Sequence, residues 1–133
     1  MLIDTHCHLD AAEFDADRDT VYREARSAGV ETLVVPAVCA ANFAAVLATC
    51  RAHPGCLPAL GLHPLYVGAH RPEHLDALRD AIVREKPVAV GEIGLDFFVP
   101  GLDAAAQESY FVEQLKIARD AGLPVLLHSR RAV

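Results

Sequence analysis

The stretch VAVGEIGLD, residues 88–96, places a carboxylate directly after an apolar run. Near-continuous apolar strands are typical of parallel sheets covered on both faces, so the run predicts a buried strand over residues 88–92. A carboxylate there is costly to bury without a partner, and the flanking glycines let backbone or a ligand come close. Glu92 is therefore a candidate metal ligand whose two oxygens could bridge two ions. A salt-bridged glutamate at the sheet rim is the alternative.

Apolar strands alternate with helical segments along the whole chain. The predicted strands cover residues 2–6, 32–38, 56–61, 88–92 and 124–128. The predicted helices cover residues 17–28, 42–52, 72–85 and 103–121. Asp17, Asn42 and Asp103 are candidate N-caps, while Gly29 and Gly122 fit the positions after a last helical turn. This alternation predicts right-handed βαβ units, a parallel α/β sheet and one domain over residues 1–133.

Histidines end three of the other predicted strands. His6 and His8 lie two residues apart, so on an extended chain both imidazoles can approach one metal from the same face. His128 ends the last strand, and Arg130 follows with a planar guanidinium that suits phosphate. His63, after the third strand, could contact substrate or metal-bound water. The alternatives are a surface turn for His6 and His8, a structural loop histidine for His63 and a solvated cation for Arg130.

Three acidic residues could support these candidate ligands. Asp4 and Asp10 flank the His6–His8 pair and could orient its rings as hydrogen-bond acceptors. Asp96 could support the site or be an ordinary loop acid. The strands that carry candidate ligands are the first, fourth and fifth, which an open sheet would spread apart. A closed barrel brings strand ends around one axis, so the ligands favour part of a barrel.

Composition bounds the class of protein. The 133 residues are 53% hydrophobic with a mean hydropathy of +0.23, as expected for strands buried on both faces. No apolar run is long enough to span a bilayer, and the N-terminus has no basic region of a signal peptide. The four cysteines form no Cys-x-x-Cys pair, so we expect reduced thiols in a cytoplasmic protein.

Several functional classes have no signal in the sequence. A net charge of −6 argues mildly against a nucleic-acid partner held by a basic surface, although divalent ions can supply the positive charge instead. No glycine-rich phosphate loop and no Ser-His-Asp arrangement is present. No pattern of aromatic and basic residues predicts stacking on single strands.

Five segments of the chain together resemble the TatD family of metal-dependent deoxyribonucleases, within the amidohydrolase-like superfamily. They are IDTHCHLD at residues 3–10, GLHP at 61–64, GEIGLD at 91–96, Gln107-Glu108 through Phe111, and LPV to HSR at 123–130. The GEIGLD block is the most specific of them. The resemblance covers the whole chain in the family's order.

The resemblance implies a TIM (β/α)8 barrel of the metallo-dependent hydrolase type, present here as an incomplete barrel of five strands and four helices. It implies that His6 and His8 bind one divalent ion, that Glu92 bridges two ions as the catalytic carboxylate, and that His128 binds the second. It also implies that His63 and Arg130 contact substrate or phosphate. The ions would be Mg²⁺, Mn²⁺ or Zn²⁺.

The implied reaction is hydrolysis of DNA, or RNA, phosphodiester bonds by metal-activated water. The family's further histidine after strand six and aspartate after strand eight have no counterpart in these residues. The chain ends five residues after His128, so we expect the site to be incomplete in the chain alone.

Two other functions compete with the nuclease. A small-molecule amidohydrolase or lactonase also places His-x-His after its first strand, but many bridge their metals with a modified lysine after strand four, and here the nearest lysine, Lys86, precedes that strand. The other alternative is an inactive truncated barrel whose open sheet edges pair with a second copy or with a missing half.

Overall fold

Five β-strands and four α-helices alternate in the computed structural model, which describes residues 1–133. The strands are β1 (Leu2–Asp4), β2 (Val30–Pro36), β3 (Cys56–Leu60), β4 (Ala89–Asp96) and β5 (Val125–Arg130). The helices are α1 (Arg18–Ser27), α2 (Phe43–Ala52), α3 (Pro72–Glu85) and α4 (Ala104–Ala121), with short 3₁₀ turns at Ala12–Phe14, Ala40–Asn42 and Pro64–Ala69. None of the helices combines the length and apolar character needed to cross a membrane.

The strands form one sheet in the order β1-β2-β3-β4-β5, and every neighbouring pair is parallel. Each strand thus lies beside the next strand of the sequence, with an α-helix in each of the four connections. A doubly wound sheet reverses its strand order at a switch point, whereas a barrel adds strands in one direction. The fold is therefore five consecutive strands of a TIM-type barrel, which confirms the predicted class.

Helix ends agree with the sequence at several positions. Asp103 Oδ1 accepts a hydrogen bond from the N–H of Ala106 at 2.9 Å, so the predicted N-cap of α4 is confirmed. Gly122 ends the same helix with φ 65°, in the left-handed region that glycine adopts without strain. Asp17 and Asn42 occupy the N-cap positions of α1 and α2, but neither side chain makes the expected capping bond.

The carboxyl ends of four strands were wrongly placed by sequence reasoning. β2, predicted to reach residue 38, ends at Pro36. β1 stops at Asp4, because the Asp4 carboxylate takes the N–H of His6 at 3.0 Å and turns the chain away from the ladder. β4 continues to Asp96 and β5 to Arg130, since their pairing runs on beyond Gly94. A Cβ atom at Gly94 would overlap the carbonyl oxygen of His128, so this close approach of the two strands requires glycine.

The core lies between the sheet and its helices. Its fully buried members include side chains of all layers: Leu9, Val35, Val46, Leu60, Leu78, Val90 and Ile93. Apolar side chains at the two edges of the sheet are exposed, at 58% for Leu2, 59% for Ile3 and 57% for Leu127. The two edge strands thus carry apolar surface that no other part of residues 1–133 covers.

Candidate metal centre

The carboxylate of Glu92 lies at the centre of four histidine side chains. It is inside β4 rather than at its end, and the residue is only 5% exposed. Its Oε2 atom lies 2.9 Å from His6 Nε2 and 3.3 Å from His8 Nε2. Its Oε1 atom lies 3.1 Å from His128 Nδ1 and 3.4 Å from His63 Nε2. The two oxygens therefore face two different histidine pairs.

The pair on the Oε2 side has the dimensions of a metal site. The Nε2 atoms of His6 and His8 lie 3.2 Å apart, and both are close to Oε2 of Glu92. Ligand atoms bonded to one tetrahedral or octahedral ion at about 2.1 Å lie about 3.0–3.4 Å from one another. The three atoms thus form a triangle that matches one face of a coordination shell.

The hydrogen bonding of His8 also fits a metal ligand. His8 Nδ1 lies 3.2 Å from the carbonyl oxygen of Pro36, and a carbonyl only accepts, so Nδ1 carries the ring proton. In the neutral ring the lone pair is then on Nε2, which faces the Glu92 oxygen. The hydrogen bond to Glu92 raises the pKa of His8 above its usual value, although burial opposes the shift. A proton or a cation is needed between these atoms, and a divalent ion meets the need.

The two histidines on the Oε1 side, His128 and His63, differ in which ring nitrogen carries the proton. His128 lies in β5, and its Nε2 atom is 2.9 Å from Oδ2 of the fully buried Asp96. With Nε2–H donated to that carboxylate, the neutral ring turns the Nδ1 lone pair towards Glu92. In His63, Nδ1 accepts the N–H of Leu65 at 3.1 Å, so Nε2 carries the proton and points it at Glu92.

His63 is thus a hydrogen-bond donor in a place where His128 offers a lone pair. On distances alone, His63, Glu92 and His128 could hold an ion together, just as His6, His8 and Glu92 could. The tautomers separate the two histidines, because a protonated nitrogen cannot bind a cation. Of the two histidines, only His128 offers a lone pair to a cation, and the predicted substrate contact of His63 stays a prediction.

The ionisation of the two buried acids follows from these contacts. Burial would raise the pKa of Glu92, but hydrogen bonds from His63 and His8 and nearby imidazole charges outweigh it, and the pKa lies well below its usual value. Burial likewise acts on Asp96, where the bond from His128 and the N–H groups of Val99 and Phe98 hold the pKa low. Both groups are carboxylates near neutral pH.

The supporting acids are only partly those expected from the sequence. The expectation for Asp4 and Asp10 is wrong: Asp4 accepts the backbone N–H of His6, and Asp10 Oδ2 accepts Asn42 Nδ2 at 3.0 Å. Neither side chain makes a hydrogen bond to an imidazole. The Pro36 carbonyl orients His8 instead. The supporting role considered for Asp96 is confirmed, since its carboxylate contacts His128 Nε2.

Two buried glutamines of α4 hold backbone segments beside the site. Gln107 Oε1 accepts the N–H of Asp96 at 2.8 Å, and its Nε2 donates to the Asp96 carbonyl at 2.9 Å. Gln114 does the same for the N–H and carbonyl of Leu62, at 2.6 and 3.1 Å. Sequence reasoning gave these glutamines no role. The available signal was the presence of two polar residues, seven positions apart, on one face of α4, and the structure shows that this face is buried.

The last predicted contact residue, Arg130, lies at the end of β5 beside an aromatic ring. Its Cζ atom is 3.7 Å from the centroid of the Phe98 ring. The sequence showed no aromatic and basic pattern, because these residues are 32 positions apart and meet only through the β4–β5 pairing.

Comparison with known proteins gives the same family throughout. The family model described as TatD related DNase matches residues 3–133. The chain is 45% identical over 131 residues to the uncharacterized metal-dependent hydrolase YjjV of Escherichia coli K12, covering 97% of this chain and 51% of the relative. It is 34% identical to the 3'-5' ssDNA/RNA exonuclease TatD of Cronobacter sakazakii, covering 98% of this chain and 50% of that protein.

A human relative and a crystal structure extend this likeness. The chain is 33% identical over 144 residues to human deoxyribonuclease TATDN3, covering 98% of this chain and 53% of that protein. The crystal structure of the TatD homolog YjjV from Escherichia coli K12 superposes with a TM-score of 0.92 at 45% identity, over 98% of this chain and 51% of that one. The chain spans about half the length of the curated relatives it matches. On this evidence, the chain belongs to the TatD-related DNase family.

Proposed function

We propose that this protein hydrolyses phosphodiester bonds of DNA with the help of two divalent metal ions. The observation that carries the proposal is the division of Glu92, whose Oε2 faces His6 and His8 while Oε1 faces His128. A carboxylate that presents one oxygen to each of two ligand sets is suited to bridge two ions. Mg²⁺, Mn²⁺ and Zn²⁺ all accept mixed imidazole and carboxylate ligands.

Each residue then has a separate task. His6 and His8 hold one ion, His128 holds the other, and Glu92 binds both. Divalent ions in such a site activate water and neutralise charge on the phosphoryl group. His63 keeps its Nε2 proton directed at Glu92 and so helps to orient the bridging carboxylate. Arg130 offers the planar donors that phosphate oxygens accept.

The substrate class is supported by the relatives. Proteins 34% and 33% identical to this chain are named a 3'-5' ssDNA/RNA exonuclease and a deoxyribonuclease. DNA is therefore the substrate we propose first, with RNA as the second nucleic acid to test. The net charge of −6 suits a site whose positive charge is supplied by ions rather than by a basic surface.

The amidohydrolase or lactonase alternative has less support. The bridging position holds Glu92, whereas Lys86 is exposed at the end of α3, before β4 begins. A lysine there cannot bridge ions bound to His6 and His128. Glu92 already carries a carboxylate, so it needs no chemical modification, unlike the bridging lysine of many amidohydrolases.

The test uses Glu92→Ala, with Glu24→Ala as the control because Glu24 is exposed on α1 and forms no ion pair. The chain should bind manganese in calorimetry, and Glu92→Ala should lose that binding while Glu24→Ala keeps it. Cleavage of labelled DNA is measured in a chimera in which residues 1–133 replace the matched segment of the Escherichia coli relative. Unchanged turnover and metal content in Glu92→Ala would refute the proposal, and turnover of amides or lactones alone would favour the alternative.

The exposed sheet edges support a proposal about partners. Leu2 and Ile3 of β1 and Leu127 of β5 are each more than half exposed, and edge strands with free backbone groups invite pairing. We infer that this chain associates with a further barrel segment or with a second copy of itself. Sedimentation as a stable monomer across a range of concentrations would contradict this.

Two further inferences concern organisation and location. We infer that residues 1–133 form a single domain, the N-terminal part of a TatD-like barrel, supported by a superposition that covers 98% of the chain. We propose the cytoplasm as its location, supported by four cysteines that are all free thiols.

A further inference from the structure

Two arginine side chains lie over one phenylalanine ring beside the metal centre. The Cζ atom of Arg130 is 3.7 Å from the centroid of the Phe98 ring, and that of Arg131 is 4.7 Å from it. We call Phe98, Arg130 and Arg131 the arginine–phenylalanine cluster. Both distances are within the range of cation–π contacts, so the ring orients both guanidinium groups.

The cluster is fixed to the metal centre by a single carboxylate. Asp96 Oδ2 accepts His128 Nε2 at 2.9 Å, while Asp96 Oδ1 accepts the N–H of Phe98 at 3.0 Å. Arg130 is the register partner of Asp96 in the sheet. His128 and Arg130, two residues apart on β5, point to the same face with a separation of about 7 Å along the strand. The cluster therefore lies next to the proposed second ion.

The two guanidinium groups have no counter-charge in the protein. Neither Arg130 nor Arg131 has a carboxylate oxygen within the 4.0 Å of an ion pair, and neither side chain donates a hydrogen bond. Five of the other arginines pair with an acid: Arg18, Arg51, Arg79, Arg84 and Arg119. Arg23 and Arg26 donate to neutral oxygens, and Arg71 also has no ion pair, so it is the stacking of two unpaired guanidinium groups on one ring that distinguishes Arg130 and Arg131. Two adjacent like charges repel, and an anion placed between them removes the repulsion.

The backbone at Arg131 adds a second indication of a built arrangement. Its φ of 51° lies in the left-handed region, which residues other than glycine rarely adopt. Conformations of this kind cluster at ligand-binding sites, where surrounding contacts hold them. Here the turn follows directly after β5 and brings the second guanidinium back over Phe98.

The chemistry of the cluster fits one class of ligand. The guanidinium groups suit a phosphodiester, and the ring with its guanidinium layer offers a flat face on which a nucleobase can stack. Phe98 is 41% exposed and the adjacent Phe97 is 42% exposed, so such a face is accessible. In a duplex the base faces are covered by neighbouring bases, whereas a single strand leaves them free.

We propose that the arginine–phenylalanine cluster binds one nucleotide of single-stranded nucleic acid next to the phosphate that is cleaved. Arg130 and Arg131 hold its backbone phosphate, and its base stacks on the layer formed with Phe98. The proposal rests on the proposed nuclease function, because it is that function which puts a phosphodiester at the neighbouring ions. It adds Phe98 and Arg131 as residues that select unpaired strands.

The experiment measures binding of the full chain to fluorescein-labelled oligothymidylate of about 12 nucleotides by fluorescence anisotropy, with EDTA present to prevent cleavage. Three ligands are compared: the single strand, a hairpin duplex of equal phosphate number, and an abasic strand of equal length. We expect tighter binding of the single strand than of the duplex. Phe98→Leu, which keeps apolar bulk but removes the π face, should weaken oligothymidylate binding about tenfold.

Controls separate stacking from charge. Phe98→Tyr keeps the ring and should bind like the original chain, and Phe98→Leu should leave binding of the abasic strand unchanged. Arg131→Gln should weaken both strands and reduce the slope of log affinity against log salt by about 0.7. Arg119→Gln makes the same charge change at an arginine that pairs with Asp120, and should leave that slope unchanged.

Three results would overturn the proposal: equal affinity for hairpin and single strand, no effect of Phe98→Leu, or equal loss on the abasic strand. These outcomes are independent of the proposed function, which is tested by metal-dependent cleavage. Intact binding without cleavage would defeat the nuclease but keep the subsite. Metal-dependent cleavage together with unchanged binding in Phe98→Leu would support the nuclease and defeat the subsite.

Discussion

Asp96 accepts a hydrogen bond from His128 across 2.9 Å, between Oδ2 and Nε2. This bond decides which ring nitrogen of His128 keeps a lone pair, because the proton on Nε2 leaves Nδ1 free to face Glu92 at 3.1 Å. An acid outside the proposed ligand set therefore determines the tautomer of a proposed ligand. The same acid also holds the loop that carries Phe98.

Asp96→Asn is expected to weaken one metal site and spare the other. The amide has nearly the same shape, and its oxygen continues to accept the N–H of Phe98. Its NH₂ group then faces His128 and cannot accept a hydrogen bond, so the neutral imidazole shifts its proton from Nε2 to Nδ1, which faces Glu92. Loss of such an outer contact costs about 10- to 100-fold in metal affinity. Manganese titration by calorimetry should show this loss at one of two sites, whereas Asp120→Ala on the exposed end of α4 should show none. Unchanged affinity at both sites would show that Asp96 does not orient the ligand.

Gln107→Leu is expected to destabilise the protein by about 2–5 kcal/mol. The substitution leaves the buried N–H and carbonyl of Asp96 without partners, and each unsatisfied group costs about 1–3 kcal/mol. Urea unfolding followed by circular dichroism measures the change. Glu108→Ala, at the adjacent exposed position of α4, should change the free energy of unfolding by less than about 0.5 kcal/mol. Equal midpoints for the two variants would remove the glutamine from the account of stability.

His70→Gln is expected to reduce the acid sensitivity of folding. Burial lowers the pKa of His70, whose Nε2 donates to the carbonyl of His63 at 2.8 Å. Between the lowered pKa and the usual one, the unfolded chain binds more protons, so stability is full above the usual pKa and falls as the pH drops. One such group contributes a slope of at most about 1.4 kcal/mol per pH unit.

Glutamine keeps a donor near the His63 carbonyl but does not titrate. The free energy of unfolding should be measured for both proteins between about pH 7.5 and pH 5.5, where histidine titrates. The original chain should lose more stability over this interval than His70→Gln. Contributions from other histidines, including the raised pKa of His8, are present in both proteins and cancel in the difference. Parallel curves would contradict the assignment.

Two cysteines are expected to resist alkylation in the folded protein. Burial raises the pKa of Cys50 to about 12 and that of Cys56 to about 11. Only the thiolate reacts, so at about pH 8 their reactive fractions are about a hundred- to a thousandfold below those of ordinary thiols. Mass spectrometry after a timed iodoacetamide treatment measures the modification at each position. The urea-unfolded chain is the control, and equal rates in both states would disprove the burial argument.

Local patterns were sufficient to predict most of the fold. The apolar runs and the helix-stopping residues place the elements within a few positions, because a cap such as Asp103 or a stop such as Gly122 acts on its own segment. The order of ligand types along the strands also predicted the convergence of His6, His8, Glu92 and His128. The roles assigned to these four residues stay predictions until metal binding is measured.

Contacts between distant segments escaped sequence reasoning. β4 and β5 extend further than predicted because each strengthens the other, which neither sequence can reveal alone. In the sequence, Gln107 and Gln114 look like ordinary polar residues of a helix. Their role is visible only when the backbone groups to which they hydrogen-bond, in Asp96 and Leu62, are known. The tautomers that distinguish His63 from His128 depend on Leu65 and Asp96, whose positions only the folded chain defines.

The strand order β1-β2-β3-β4-β5 has a consequence for biosynthesis. Each new strand adds to the edge formed by the one made just before it, so no early strand has to wait for a late one. The sheet can therefore grow from its first strand while the ribosome is still translating the message. His6 and His8 would then be in position before the codon for Glu92 is read, and the Glu92 carboxylate would be added beside two imidazoles that are already placed.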